Sequence, residues 1–177
     1  MKRSCLSTRR TQAGFTLVEA LVTFLILAIG LLGLAGLQAK GLTFDQSAYQ
    51  RTQAALLAGD IADRMRANVT TARVTGVGGY NIAFGATITS APNCIGASAN
   101  CSTANMSQFD LDQWKAALKN LLPSGDGAIT TAANAVAPMV DVTIKVYWDE
   151  LHNGATGIQC PRLSDSDLMC FQLQVTL

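Results

Sequence analysis

The sequence predicts an α+β fold: a long N-terminal helix, membrane-spanning over its first half, packs its second half against a small antiparallel β-sheet. Three observations lead there. From Ala20 to Ala39 no side chain is charged, and at about 1.5 Å rise per residue that run matches a hydrocarbon core of about 30 Å. Further along, Ala54, Ala58, Ile61, Met65 and Val69 recur at spacings of four, three, four and four, which trace one helix face. Near the C-terminus, Val140, Val142, Ile144, Val146 and Trp148 alternate with Asp141, Thr143, Lys145 and Tyr147, the period of two of a strand with one apolar face.

The apolar run is preceded by a polar leader that holds Lys2, Arg3, Arg9 and Arg10 and no acid, whereas the far flank offers only Lys40 before Asp45. The positive-inside rule then places the N-terminus in the cytoplasm and the rest outside. An ordinary secretory signal has a shorter apolar region followed by a small-residue cleavage site, and this run is long with only a weak candidate site around Ala39 to Gly41. A plain anchor fits better, yet it gives no reason for Glu19, because a carboxylate at the bilayer centre costs about 2.5 to 3.5 kcal/mol. Gly30, Gly33 and Gly36 interrupt the back half of the run. In a membrane such small residues let helices approach closely; a patch that loosens on polymerisation is the sharper alternative.

Gly14, Phe15, Thr16, Leu17, Val18 and Glu19, set between a basic leader and a spanning run, resemble the GFTLxE signal of the prepilin family, the type IV pilins and type II secretion pseudopilins. The resemblance implies that a prepilin peptidase cuts between Gly14 and Phe15, that Phe15 becomes N-methylphenylalanine, and that the apolar run stays attached. It also gives Glu19 a task in subunit assembly. Once Phe15 is an N-terminus its amine is cationic, and a carboxylate on a neighbouring subunit can neutralise it where solvent is scarce. A carboxylate merely tolerated at the interface is the competing reading.

Past Lys40 the helix is expected to continue with a more polar surface, Asp60 and Arg64 standing four apart in the favourable order for an ion pair. Asn68 to Thr71 weaken its propensity and Gly76, Gly78 and Gly79 end it. Thr75 to Met106 has the Gly, Ala, Ser, Thr and Asn composition of a surface loop, with a short extended piece at Gly85 to Ser90. A second helix is expected from Asp110 to Leu122, capped by Asp110, with Leu111, Trp114, Leu118 and Leu121 as its apolar face. Trp114 and Met65 read as core. Two strands follow, Val140 to Trp148 and the stretch ending at Leu177, with a weaker one at Ala128 to Ala133. Asp165 and Asp167 fall in a turn-rich segment that lacks the oxygen ligands of an EF-hand loop, so a solvated turn is expected there.

Removal of the first 14 of 177 residues leaves 163, enough for one helix and one small head. The leader takes four of thirteen basic side chains with it, so nine bases against twelve acids leave a net charge of −3. A strongly basic nucleic-acid surface is not expected. Of five cysteines, Cys5 is in the leader and Cys94, Cys101, Cys160 and Cys170 are on the exported side, where an oxidising compartment favours disulfides. Three pairings are open. Cys94 with Cys101 and Cys160 with Cys170 is favoured, since each pair closes a local loop rich in turn residues. A zinc site of all four thiolates competes, but neither spacing is the close pair such sites show. No metal or other cofactor is expected. The single histidine, His152, sits beside Asn153 and Gly154 in a turn; without a second imidazole, a G-x-S-x-G elbow or a P-loop, the sequence offers no catalytic constellation.

Within the prepilin family, IGLLGLAGLQ at Ile29 to Gln38, ADRMRAN at Ala62 to Asn68, and the order Trp114, Leu118, Leu122, Pro123, Ser124, Gly125 ahead of a strand ending in Val146, Tyr147 and Trp148 resemble the PilV group of minor pilins, the type IV pilus modification proteins. The resemblance implies a pilin-like fold divided into a cleaved leader (1–14), a transmembrane and polymerisation helix (15–39), its amphipathic continuation (40–74) and a globular head (75–177). It implies an inner-membrane subunit, head in the periplasm, that joins other minor pilins to prime a pilus and ends near its tip. The implied partners are other minor pilins, the major pilin, a tip adhesin, the prepilin peptidase, the inner-membrane assembly platform and, before assembly, membrane lipid. A minor pseudopilin of a type II secretion system is the alternative, and a periplasmic protein that uses the segment only as an anchor a more distant one.

Overall fold

The computed structural model describes residues 14–96 and 99–177. The leader features, Lys2, Arg3, Cys5, Arg9 and Arg10, lie outside the described residues. Helix α1 runs from Leu17 to Ala67, followed by a single turn α2 (Val69–Ala72), helix α3 (Thr103–Leu121) and strands β1 (Asp126–Ala133), β2 (Val140–Trp148) and β3 (Met169–Thr176). The chain resolves into two units, residues up to Phe44 and Asp45–Leu177.

Among the described residues of the first unit, the helix is exposed along its apolar length. Its Leu, Ile, Val and Phe side chains are exposed, Phe24 at 70% and Leu32 at 74%. An α-helix satisfies its own backbone, so such a segment suits hydrocarbon, and it is long and apolar enough to cross a membrane.

In the second unit the three strands form an antiparallel sheet of order β1-β2-β3, with Ile129 opposite Ile144 and Ile144 opposite Leu173. The later part of α1 lays Ala54, Leu57, Ala58, Ile61, Ala62 and Met65 into the core, where Trp114 and Leu118 of α3 and Val142, Ile144, Val146 and Trp148 of β2 meet them. This is the α+β layering that the two periodicities require. Small side chains on α1 let neighbouring elements come close, and the Trp114 indole N–H donates to the Leu57 carbonyl at 3.0 Å. Gly127 of β1 lies under that ring, where a Cβ would collide with it.

Several local expectations are corrected. Helix α3 begins at Thr103, capped by Ser102, whose hydroxyl accepts from the Asn105 N–H at 3.2 Å; Asp110 is therefore no cap but a buried mid-helix residue. Leu121 is 46% exposed and Leu122 takes its place inside, since α3 ends between them. Val69 leaves the apolar stripe because α1 stops at Ala67 and Asn68 turns the chain. The stretch from Thr75 is not wholly a surface loop: Tyr80 is fully buried. The extended pairing there is Ile82 against Ile129, rather than anything in Gly85 to Ser90. Asp167 is buried, not solvated, its carboxylate accepting from the Ser164 N–H at 3.0 Å and the Ser164 hydroxyl at 2.9 Å.

Candidate functional site

The first functional element is the approach to α1. Gly14, Phe15 and Thr16 lie ahead of the helix and are exposed, Phe15 at 80%. Thr16 caps the helix: its carbonyl accepts from the Ala20 N–H at 3.2 Å and its hydroxyl from the Glu19 N–H at 3.3 Å. Glu19 thus occupies the third helical position behind a threonine cap, the T-x-x-E arrangement of a capping box, and its negative charge falls in the first turn where the helix dipole favours it. The Thr23 hydroxyl returns to the Glu19 carbonyl at 2.7 Å. Among the described residues the Glu19 carboxylate has no ion-pair partner and is exposed. The geometry is an accessible Gly14–Phe15 peptide bond immediately in front of an apolar helix, with one acid a helical turn inside.

The second element is the head that this helix carries. Two buried polar clusters hold it. Tyr80 donates to Asp110 Oδ2 at 2.5 Å, Arg64 donates to Asp110 Oδ1 at 3.3 Å, and the Asn68 amide reaches both the Tyr80 hydroxyl and the Thr103 carbonyl. Burial first, then the hydrogen bond to Asp110, raises the Tyr80 phenol well above its ordinary pKa, so it stays a donor. Arg64 also pairs with Asp60 at 3.0 Å, the ion pair expected from spacing. In the other cluster Lys115 of α3 and Asp126 of β1 pair at 2.5 Å, both buried; Lys115 also donates to the Ala83 carbonyl, and the Gly85 N–H donates to Asp126. Burial pushes the Lys115 ammonium down from its ordinary pKa while Asp126 opposes that shift.

Both clusters tie the 68–85 segment to α3 and β1. Apart from the buried Asn68 Oδ1, which has no hydrogen-bond partner among the described residues, their polar groups bond to one another and serve to position the head. The cysteines bond locally, Cys94 with Cys101 (Cα–Cα 5.8 Å) and Cys160 with Cys170 (Cα–Cα 5.5 Å). Among the described residues no group of His, Cys, Asp and Glu is arranged to hold a metal. His152 is an exposed turn residue at φ 52°. The Thr16 cap was legible in the T-x-x-E spacing; Tyr80 and Lys115 carried no sequence signal, since a lone tyrosine in a glycine-rich stretch and a lysine on a helix both read as surface residues.

Two family models match the chain. The prokaryotic N-terminal methylation motif covers residues 9–35, which include Gly14, Phe15 and Glu19 and the apolar part of α1. The type IV pilin Tt1218 family covers residues 36–112, from the remainder of α1 into α3. The chain carries a type IV pilin domain. Behind a methylation motif, that pilin domain implies interaction with other pilins and with a prepilin peptidase, and the exposed apolar helix has the length and composition that membrane anchoring needs. No curated protein and no solved structure is significantly similar to this chain.

Proposed function

We propose that this pilin is a minor subunit of the PilV kind, cut between Gly14 and Phe15, N-methylated on Phe15, and used in a complex that primes a type IV pilus and remains near its tip. One observation carries the reading: the exposed Gly14–Phe15 bond, with Glu19 one turn into α1, is followed without interruption by a pilin domain. In this reading the chain begins in the inner membrane with its N-terminus cytoplasmic and its head periplasmic. Its partners are other minor pilins, the major pilin, a tip adhesin and the inner-membrane assembly platform. It contributes complementary surfaces to motility and adhesion and no chemistry of its own.

Assembly then withdraws α1 from lipid into a filament, where the Glu19 carboxylate of one subunit meets the Phe15 amine of another. Mass spectrometry of the native protein tests the first step: the expected mature chain starts at methylated Phe15, and a chain that starts at Met1 overturns the proposal. Glu19→Ala tests the second. The variant is expected to insert and be cleaved but to drop out of sheared pili, and normal incorporation would remove Glu19 from the mechanism. Loss of the pilin is expected to abolish twitching and leave protein secretion intact; the reverse would make it a pseudopilin.

A further inference from the structure

The two edges of the sheet are treated differently. Along β1 the outward backbone is closed within the head: the Ile129 N–H donates to the Ile82 carbonyl at 2.9 Å and the Ile82 N–H to the Ile129 carbonyl at 3.1 Å. The Thr131 N–H donates to the Asn81 side chain at 2.7 Å and the Gly127 N–H to Asp126 at 2.8 Å.

Among the described residues, the outward backbone of strand β3 has no such cover. Leu177 and Val140 exchange both backbone hydrogen bonds at 2.9 Å. By antiparallel alternation Val175, Leu173 and Phe171 also turn their backbone toward β2, and Gln172, Gln174 and Thr176 turn theirs outward. Among the described residues these three outward backbones find no partner, and all three residues are exposed. The strand MCFQLQVT contains no charge, proline or glycine, whereas natural edges are usually blunted by lysine, proline or a bulge.

We infer that β3 pairs antiparallel, through its free edge, with β3 of a second copy of this chain, which joins two three-stranded sheets into one of six strands. A hydrogen-bonding edge specifies an extended backbone as its occupant, and three features select a second copy. A two-fold axis through Gln174 places Leu173 opposite the partner copy's Val175 and Gln172 opposite its Thr176, so like chemistry meets like on both faces. On the polar face β2 carries Asp141 beside Thr176 and Lys145 beside Gln172; the same axis puts Lys145 in one cross-sheet row with Asp141 of the other copy, twice. The register uses residues 171–177 and leaves Cys170, with its disulfide to Cys160, outside the pairing. A shallow cavity of about 280 Å³, lined by Asp141, Thr143, Gln174 and Thr176 among others, lies at that axis. This inference does not depend on the pilus assignment.

The full chain in detergent is the material for the test. Sedimentation velocity is expected to show a dimer, and Gln174→Pro, which removes an outward N–H and no bond within the sheet, is expected to weaken it by about ten-fold or more. Gln174→Cys is expected to give a covalent dimer with a short bis-maleimide, and Val77→Cys, on a fully exposed loop of the same head, is not. If the proline variant does not fold, the cysteine pair decides. A monomeric wild type, a dimer indifferent to Gln174→Pro, or equal cross-linking at Val77 would overturn the inference; the second of these would assign association to the apolar helix.

Discussion

One helix, α1, has two halves, and the difference lies in whether its apolar side chains are buried. Up to Phe44 its large side chains, Leu, Ile, Val and Phe, are exposed. Beyond Asp45 the buried positions alternate small and large, Ala54, Ala58 and Ala62 among Gln50, Leu57, Ile61 and Met65. A lipid-facing or subunit-facing helix needs apolar area without a fixed partner; a core helix needs a surface against which two layers interdigitate at close range. The contrast teaches that apolar content alone does not place a helix inside a fold. The stretch with the higher hydropathy is the exposed one.

The strongest way to break the comparison is to cut the core half. Trp114→Ala removes a fully buried ring and its hydrogen bond to Leu57, with an expected loss of about 3 to 5 kcal/mol in head stability by denaturant unfolding. Leu25→Ala, in the bare half, is expected to leave that same transition unmoved.

Overfilling sharpens the contrast at intermediate size. Ala58→Leu puts a large side chain where the helix has no exposure and is expected to cost about 1 to 3 kcal/mol, whereas Ala35→Leu has open space and should cost the head nothing. Asp110→Ala strands the Tyr80 hydroxyl in the core, for which about 1 to 3 kcal/mol is expected by the same unfolding measurement.

The smallest expected effect is on pH dependence. Burial opposes ionisation of Glu150, but hydrogen bonds from Ser47 at 2.6 Å and from Arg51 outweigh it and hold its carboxyl below the ordinary value of 4.5. The group therefore stabilises the fold fully above 4.5, and that contribution disappears as pH falls through the lower folded value. Asp167 acts in the same direction, its carboxyl held down first by the Ser164 hydroxyl. Thermal melting of the full chain is expected to be level from neutrality to about pH 5 and to fall below that. Glu150→Gln should flatten part of the fall, and an unchanged acid limb would remove Glu150 from the account.

Much of this molecule could be read before it was folded. The apolar run, the helix stripe and the alternation of β2 are periodic signals, and periodicity follows from backbone geometry that every residue shares. The signal at Gly14 to Glu19 is contiguous and needs no folding to be seen, and the local disulfides close short loops that chain proximity already favours. What escaped were positions where a residue's neighbours come from elsewhere. Asp110 has the chemistry of a helix cap, and only the arrival of Tyr80 and Arg64 from distant segments makes it a buried acceptor instead. Lys115 reads as solvated until Asp126 and Ala83 enclose it.

By itself, then, the order of residues determined that the chain holds a long helix, a second helix and strands, which stretch is apolar enough for lipid, and where the methylation motif sits, because each depends on neighbours within a few positions along the chain. Only the tertiary structure decided which charges are buried, which tyrosine is a core donor, and which of two similar sheet edges is sealed. Those outcomes depend on contacts between residues tens of positions apart, such as Asn81 with Thr131, and no local pattern encodes a partner that distant.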